Sequence, residues 1–283
     1  MKRAYVTLLA SAADSPGVEA LGASLRASGT REPLLVMATP DVPPRVRARL
    51  SIEGSRVRDI DSLGPSEHDG PSPLARPSRA FETLRAWQLT ELDTVVFLAP
   101  DALVLRNVDE LFERPELAAA SSPHRPDQLD SGVMVLTPSE ATFERMLGAV
   151  EALGTMEDRA HPANAQELLN ELFPGWREAS PEHHLPREYN LSVRHYPIAQ
   201  PHGDPPDRAP REARILRYGR RRPWEGLPHL VGASSLWWNA YHTAHPETDR
   251  RWRRRIHAAE DWLHDRLHSH SPDQEPNSAR PGG

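Results

Sequence analysis

The chain has 283 residues, which is enough for one large domain or two small ones with a buried core. Apolar residues make up 38% and charged residues 26%, as in a folded globular protein, and no apolar run is long enough for a transmembrane helix. The lack of cysteine excludes disulfides, thiolate metal sites and cysteine nucleophiles, and a net charge of −6 argues against a general nucleic-acid-binding protein. The N-terminus has no secretory pattern, so we expect a cytoplasmic protein with no membrane partner.

The first sixty residues alternate between buried strands and helices. Apolar, β-forming runs predict strands at 4–9 and 34–38, and a third at 57–60. Helical spacing of apolar residues follows Pro16-Gly17 and again Pro43-Pro44. This βαβαβ alternation predicts a parallel sheet covered by helices.

The rest of the chain continues the alternation with two Pro-rich loops, predicted at 61–78 and 197–213. Further strands are predicted at 95–98, 103–105, 131–136 and 215–218, and helices at 78–92, 139–153, 163–173, 234–241 and 245–267. We expect one domain over 1–241, a helical extension over 242–268 and a disordered tail over 269–283.

Three stretches carry a family resemblance. They are the segment 4–25, which begins Ala4-Tyr5-Val6-Thr7-Leu8-Leu9, the segment 84–112, which includes Val95-Val96-Phe97-Leu98-Ala99-Pro100-Asp101, and Asp130-Ser131-Gly132-Val133-Met134-Val135. In this order they resemble glycosyltransferase family 8, the glycogenin-like branch, over about residues 4–240. The resemblance implies an α/β GT-A fold, which is a Rossmann-like nucleotide-sugar-binding fold with a mostly parallel central sheet flanked by helices. It also implies hexosyl transfer from a UDP-sugar with Mn²⁺ on the diphosphate.

At the metal site that the resemblance implies, this chain lacks two of the ligands. The family has Asp-x-Asp after its central strand, whereas this chain has Ala99-Pro100-Asp101 and keeps only the second carboxylate. The later His ligand of the family matches Arg217, a permanent cation that cannot bind a metal. Asp101 is thus left as a single, vestigial metal position, and no cofactor is expected.

The nucleotide and sugar positions implied by the resemblance also differ from the family. Its Asn-Asp-x-Tyr, which holds the uridine, reads Ser11-Ala12-Ala13-Asp14 here and lacks the aromatic ring. Its Asn-Ser-Gly reads Asp130-Ser131-Gly132, and its Asp-Gln-Gly reads Ala165-Gln166-Glu167. The resemblance suggests Asp130 and Gln166 as catalytic positions. The substrate-binding positions that it suggests are Leu9, Ser11, Asp101, Asp127, Ser131, Arg217, Arg220 and Arg222.

These departures concentrate where the family performs chemistry, whereas scaffold positions such as Trp87 persist. We therefore expect Mn²⁺-dependent catalysis to be lost or rewired, as in a pseudo-glycosyltransferase. One alternative is an active, metal-independent transferase that binds the diphosphate with Arg217 and Arg220-Arg221-Arg222, which requires these arginines to lack acidic partners. A second alternative is a non-catalytic protein that binds a glycan or a partner. A homo-oligomer or a pairing with an active paralogue is expected by analogy alone.

Overall fold

The computed structural model describes residues 1–63, 81–153, 164–195, 213–219, 222–225 and 233–246. The chain divides into two compact units, Met1–Ala244 and His245–Gly283, and every helix and strand given below belongs to the first. Most of the two predicted Pro-rich loops, nearly all of the predicted helix at 245–267, and the predicted tail at 269–283 lie outside the described residues.

A six-stranded sheet forms the centre of the first unit, in the spatial order β3-β2-β1-β4-β7-β6. Its strands are β1 (Arg3–Leu9), β2 (Leu34–Ala38), β3 (Arg56–Asp59), β4 (Thr94–Leu98), β6 (Ala118–Ser121) and β7 (Leu129–Leu136). The strands β3, β2, β1 and β4 run parallel, whereas β7 and β6 pair antiparallel with their neighbours. The parallel half matches the predicted βαβαβ unit, and the antiparallel half makes the sheet mixed.

The sequence patterns did not predict strand β6. Its sequence is Ala-Ala-Ala-Ser, and alanine is depleted in strands, so no local signal marks it. The strand forms because it pairs with β7, and its three alanines are buried.

Within the described residues, five α-helices accompany the sheet. They are α1 (Ser15–Ala27), α2 (Pro44–Ile52), α3 (Glu140–Leu153), α4 (Ala165–Leu172) and α5 (Ala233–Ala244). Residues on both faces of β1 are buried: Tyr5 and Leu9 pack on one side, and Val6 and Leu8 on the other. A strand covered on both faces is typical of a parallel sheet between helical layers. No helix in the described ranges is both long and apolar enough to cross a membrane.

The prediction of a long α-helix over 78–92 was wrong in its described part. Residues Glu82–Gln88 form a 3₁₀ helix that ends before Leu89. Phe81, Leu84 and Trp87 recur every three residues and are all buried, which is the repeat of a 3₁₀ helix. The same spacing also fits one face of an α-helix, so the sequence pattern does not separate the two helix types.

A small second sheet lies beside the end of β4, with the order β5-β9-β8. Its strands are β5 (Ala102–Val104), β8 (Leu191–Ser192) and β9 (Ile215–Arg217). Strand β5 pairs antiparallel with β9, and the register places Ala102 opposite Arg217. The chain thus brings residues that are more than 100 positions apart to the end of β4.

Candidate functional site

A tight turn follows β4 and positions Asp101. The Ala102 N–H donates to the Ala99 carbonyl at 2.9 Å, with Pro100 at the second position of the turn, where its fixed φ is favourable. Asp101 is only 7% exposed. Asp101 immediately precedes Ala102, which pairs with Arg217 between β5 and β9. The Asp101 side chain therefore lies beside the Arg217 side chain.

An interruption of the β6–β7 ladder positions Asp130. Ala119 pairs with Met134, but Ala120 pairs with Asp130, so residues 131–133 have no partner in β6. On its other side the interrupted segment stays attached to the end of β4, because the Ala99 N–H donates to the Gly132 carbonyl at 2.9 Å. Such bulges bend a strand and redirect its side chains, often next to functional sites.

Helix α4 holds the start of this interrupted segment. The Asn170 side chain accepts a hydrogen bond from the Leu129 N–H at 2.9 Å and donates to the Leu129 carbonyl at 3.1 Å. One turn earlier, the Gln166 Oε1 accepts from the Ser131 N–H at 3.2 Å and from its Oγ at 3.5 Å. The two suggested catalytic positions, Asp130 and Gln166, are therefore fixed to the same short stretch of β7.

The guanidinium of Arg217 bridges the two carboxylates of the site. Its Nε donates to the Asp101 Oδ1 at 3.0 Å, and its Nη1 lies 3.7 Å from the Asp130 Oδ1 and 3.4 Å from the Asn190 Oδ1. The Arg217 side chain is 17% exposed. Burial by itself lowers the pKa of the guanidinium, but the charges of Asp101 and Asp130 outweigh it and raise that pKa. Arg217 is therefore a fixed positive charge between two carboxylates.

The second oxygen of Asp101 is also occupied by the chain itself. The Asp101 Oδ2 accepts from the Gly219 N–H at 2.5 Å, and the Asp101 carbonyl accepts from the Tyr218 N–H at 3.1 Å. Gly219 has a φ of +57°, in the left-handed region that glycine adopts without strain. Both carboxylate oxygens of Asp101 thus tie the turn after β4 to the end of β9.

Arg222 forms a second ion-pair cluster close by. Its Nη1 donates to the Asp14 Oδ1 at 2.6 Å and to the Glu225 Oε1 at 2.7 Å. Burial lowers the pKa of Arg222, but the hydrogen bond to Glu225 and the charge of Asp14 raise it overall. The Arg222–Asp14 pair connects the residue before α1 to the segment after β9, and it occupies the position where the family resemblance implies a base-stacking ring.

Residues of both clusters line an open cavity of about 490 Å³, together with Pro100 and Trp224. Among the described lining residues two carboxylates and two guanidiniums cancel, whereas the two clusters as a whole hold four carboxylates and two guanidiniums, a formal charge of −2. The carboxylates belong to Asp14, Asp101, Asp130 and Glu225, and the guanidiniums to Arg217 and Arg222. Each of these two arginines has acidic partners, contrary to the condition set for a metal-independent transferase.

The remaining suggested residues are more scattered. Leu9 is fully buried, and its carbonyl accepts from the Thr39 N–H at 3.2 Å. The Ser11 Oγ caps the 3₁₀ turn at Ala12–Asp14 by accepting from the Ala13 N–H at 3.3 Å. Asp127 is exposed. Arg220 and Arg221 lie outside the described residues.

Three residues of the site were not singled out as site residues from the sequence. Asn190 holds the Nη1 of Arg217, Gly219 binds Asp101 through its backbone, and Glu225 binds Arg222. The segment Tyr189-Asn190-Leu191-Ser192 is a weak part of the family resemblance, and it is the one signal that points to Asn190. A backbone N–H donor and a carboxylate three residues after an arginine have no comparable sequence signature.

The residues present do not fit a Mn²⁺ site. Both oxygens of Asp101 already accept hydrogen bonds, one of them from a guanidinium that would repel a divalent cation. Across the part of the chain that the structure describes, Asp101 also belongs to no group of three carboxylate or imidazole ligand atoms. That Asp101 is a vestigial metal position stays a prediction, and the structure shows this carboxylate bound to donors of the chain itself.

Comparison with known proteins supplies the family. No protein-family model matches the chain. The chain is 36% identical over 192 residues to glycogenin-1 of Oryctolagus cuniculus, covering 67% of this chain and 56% of that protein. It is 31% identical over 264 residues to glycogenin-1 of Homo sapiens, covering 85% of this chain and 72% of that protein. The chain thus spans between about half and three quarters of the length of these relatives.

The fold agrees with solved glycosyltransferase structures. The galactosyltransferase LgtC, in complex with donor and acceptor sugar analogues, superposes with a TM-score of 0.60 at 16% identity, over 84% of this chain and 95% of that chain. This likeness confirms the GT-A fold that the sequence resemblance implied. Taken with the two glycogenin matches, it shows that the chain belongs to the glycogenin-like family of glycosyltransferases.

Proposed function

We propose that this chain is a pseudo-glycosyltransferase, which keeps the nucleotide-sugar fold of its family and has lost Mn²⁺-dependent hexosyl transfer. The observation that carries the proposal is the position of Arg217, whose guanidinium lies 3.0 Å from the Asp101 carboxylate. A divalent ion at that carboxylate would have to displace a cation that Asp130 and Asn190 also hold. The role of the ion is to offset charge on a departing diphosphate, and the two described guanidiniums that line the cavity are each engaged by a carboxylate instead.

The charge of the cavity supports the same conclusion. A UDP-sugar presents a diphosphate anion, and the two ion-pair clusters at the cavity together hold a formal charge of −2. The two guanidiniums that line the described part of the cavity, those of Arg217 and Arg222, form hydrogen bonds to carboxylates instead. We therefore expect a UDP-sugar to be a weak ligand at most.

A metal-independent transferase is the second candidate, and one observation favours it. Arg217 and Arg222 line the same cavity, and guanidiniums bind phosphate oxygens in bidentate geometry. In this case the diphosphate would have to compete with Asp101 and Asp14 for them. The two candidates differ in whether UDP-glucose binds and reacts in the presence of EDTA.

The test is a calorimetric titration of the full chain with UDP-glucose, with and without Mn²⁺, followed by an assay for released UDP. If the chain is a pseudo-glycosyltransferase, UDP-glucose should show no metal-dependent binding, and no UDP should be released in either condition. Binding that strengthens on adding Mn²⁺ would refute the proposal. Binding and UDP release that persist in EDTA would establish the second candidate.

A gain-of-function variant makes a negative result interpretable. The double substitution Ala99→Asp with Arg217→His supplies the two ligands that the family resemblance implies are missing. It should bind Mn²⁺ in an electron paramagnetic resonance titration, whereas the wild-type chain should not. The single substitution Arg217→Gln removes the positive charge that repels Mn²⁺ without adding a strong metal ligand. Comparing it with the double variant shows how much Mn²⁺ binding comes from removing that charge and how much from adding ligands. A double variant that binds no more Mn²⁺ than Arg217→Gln would show that other residues cause the loss.

A further inference from the structure

A second cavity, of about 380 Å³, lies between the end of β6 and the 3₁₀ turn at Arg187–Tyr189. In the described part of the chain, it shares no lining residue with the cavity that Arg217 and Arg222 line. Its volume falls in the usual range for small-molecule sites, about 300–1,000 Å³. The two cavities are connected by one contact, because Asn190 lines the second cavity and accepts a hydrogen bond from Arg217.

The walls of this second cavity combine hydroxyl groups with flat apolar surfaces. Ser121, Ser122 and Ser192 provide hydroxyls on two sides, and Leu185 and Pro126 provide apolar contact. A sugar ring presents hydroxyls at its edge and C–H groups on its faces, so it can use both kinds of surface. A purely apolar ligand would leave the Ser121 and Ser122 hydroxyls without partners, at a cost in free energy, whereas the Ser192 Oγ already accepts from the Arg194 N–H.

Among the described residues that line this cavity, Arg187 is the one cation and none is a carboxylate. Its side chain is exposed, and within the described ranges no carboxylate lies within ion-pair distance of its guanidinium. The adjacent Glu188 is engaged elsewhere, since it lies 3.6 Å from the Nε of Arg214. Arg187 therefore differs from Arg217 and Arg222, which carboxylates already hold.

Asn190 adds a second donor to the same wall. Asn190 is 7% exposed, and its Oδ1 is used by Arg217. Among the residues that the structure describes, no acceptor bonds its Nδ2 amide group. A largely buried amide donor and a free guanidinium in one cavity provide a pair of groups that a carboxylate or a hydroxyl would satisfy.

From these contacts we propose that the second cavity binds a carboxylate-bearing monosaccharide, with the carboxylate on Arg187 and the ring between the serines and the apolar wall. This site requires neither a nucleotide nor a metal, so it goes beyond the proposed loss of transferase activity. Its failure would leave the conclusion about Arg217 unchanged, and the reverse also holds.

The experiment is a titration of the full chain, followed by NMR, with sodium D-glucuronate, D-glucose and sodium acetate as separate probes. Glucuronate should bind saturably in the millimolar range. Glucose and acetate should each bind about tenfold more weakly or worse, because glucose lacks the carboxylate and acetate lacks the sugar ring. Equal affinity for glucose and glucuronate, or for acetate and glucuronate, would overturn the proposal. So would the absence of saturable glucuronate binding.

Variants locate the binding within the second cavity. Arg187→Gln should weaken glucuronate binding about tenfold or more without changing the unfolding midpoint, because the side chain is exposed. The matched control Arg177→Gln alters an exposed arginine that does not line this cavity and should leave binding unchanged. Ser121→Phe should block the cavity and abolish binding. If glucuronate binds equally well to Arg187→Gln or to Ser121→Phe, its site is elsewhere and the proposal is wrong.

Discussion

The guanidinium of Arg217 lies directly against the backbone of Gly132. A β-carbon built on Gly132 would lie 1.0 Å from the Arg217 Nη1 and 2.1 Å from its Cζ. The interrupted segment of β7 therefore provides the space for the cation by having no side chain at this position. The position of Arg217, a residue of β9, therefore depends on a glycine in β7.

The substitution Gly132→Ala tests this pairing. The new methyl group must displace the guanidinium from Asp101, which leaves a buried carboxylate without its partner and should lower the free energy of unfolding by about 3 kcal/mol in urea denaturation. Gly148→Ala is the matched control, because Gly148 lies within α3 and has no atom within 4 Å of the added carbon. That control should raise the free energy of unfolding by about 0.5–1 kcal/mol. Equal stability of Gly132→Ala and wild type would contradict the arrangement.

Removal of the Arg217 cation should lower the free energy of unfolding by a similar amount. Arg217→Met keeps much of the side-chain volume but leaves Asp101 and Asp130 facing each other, 10% and 23% exposed, with no positive charge between them. We expect a loss of about 3 kcal/mol in the free energy of unfolding. Arg222→Met removes a cation that is 36% exposed, and it should cost about 1 kcal/mol or less. If the two variants are equally stable, Arg217 is not the organising charge of the site.

The sequence and the structure agree best where the chemistry is local. The buried strands β1, β2 and β4 and the parallel half of the sheet follow from continuous apolar runs. The departures at Ala99 and Arg217 from the metal ligands that the family resemblance implies could also be read from the sequence, because a methyl group and a guanidinium bind no metal in any fold. What could not be read is the partner of each charged group, since Arg217 meets Asp101 across 116 positions and Arg222 meets Asp14 across 208. The strand β6 was missed for a related reason, because three alanines become a strand only through pairing with β7.

The acidic partners of Arg222 should limit its affinity for phosphate. The double substitution Asp14→Ala with Glu225→Ala frees the guanidinium that both carboxylates hold and removes two negative charges from the Arg222 cluster. In calorimetric titrations with UDP in EDTA, we expect the affinity of this variant to exceed that of wild type by about tenfold or more. Glu188→Ala serves as the control, since it removes a carboxylate that pairs with Arg214 instead. An unchanged affinity in the double variant would show that these carboxylates do not limit anion binding.

Glu82 should make stability depend on pH. The Glu82 side chain is fully buried at the start of the 3₁₀ helix, where burial raises its pKa despite a hydrogen bond from the Leu63 N–H and the nearby charge of Arg85. Its second carboxylate oxygen has no hydrogen-bond partner among the described residues. Because the folded state holds this proton to higher pH than the unfolded chain, the contribution of Glu82 is complete below the ordinary carboxyl pKa. It is lost as the pH rises through the folded-state value.

The substitution Glu82→Gln removes this pH dependence, because the amide keeps the acceptor for Leu63 and never ionises. Urea unfolding at pH values from about 4 to 8 should show the variant gaining stability relative to wild type as the pH rises, by about 1.4 kcal/mol for each unit of raised pKa. The exposed Glu144→Gln is the control and should follow wild type across the range. A constant difference between Glu82→Gln and wild type at every pH would mean that Glu82 is as well solvated as a surface carboxylate, which its burial contradicts.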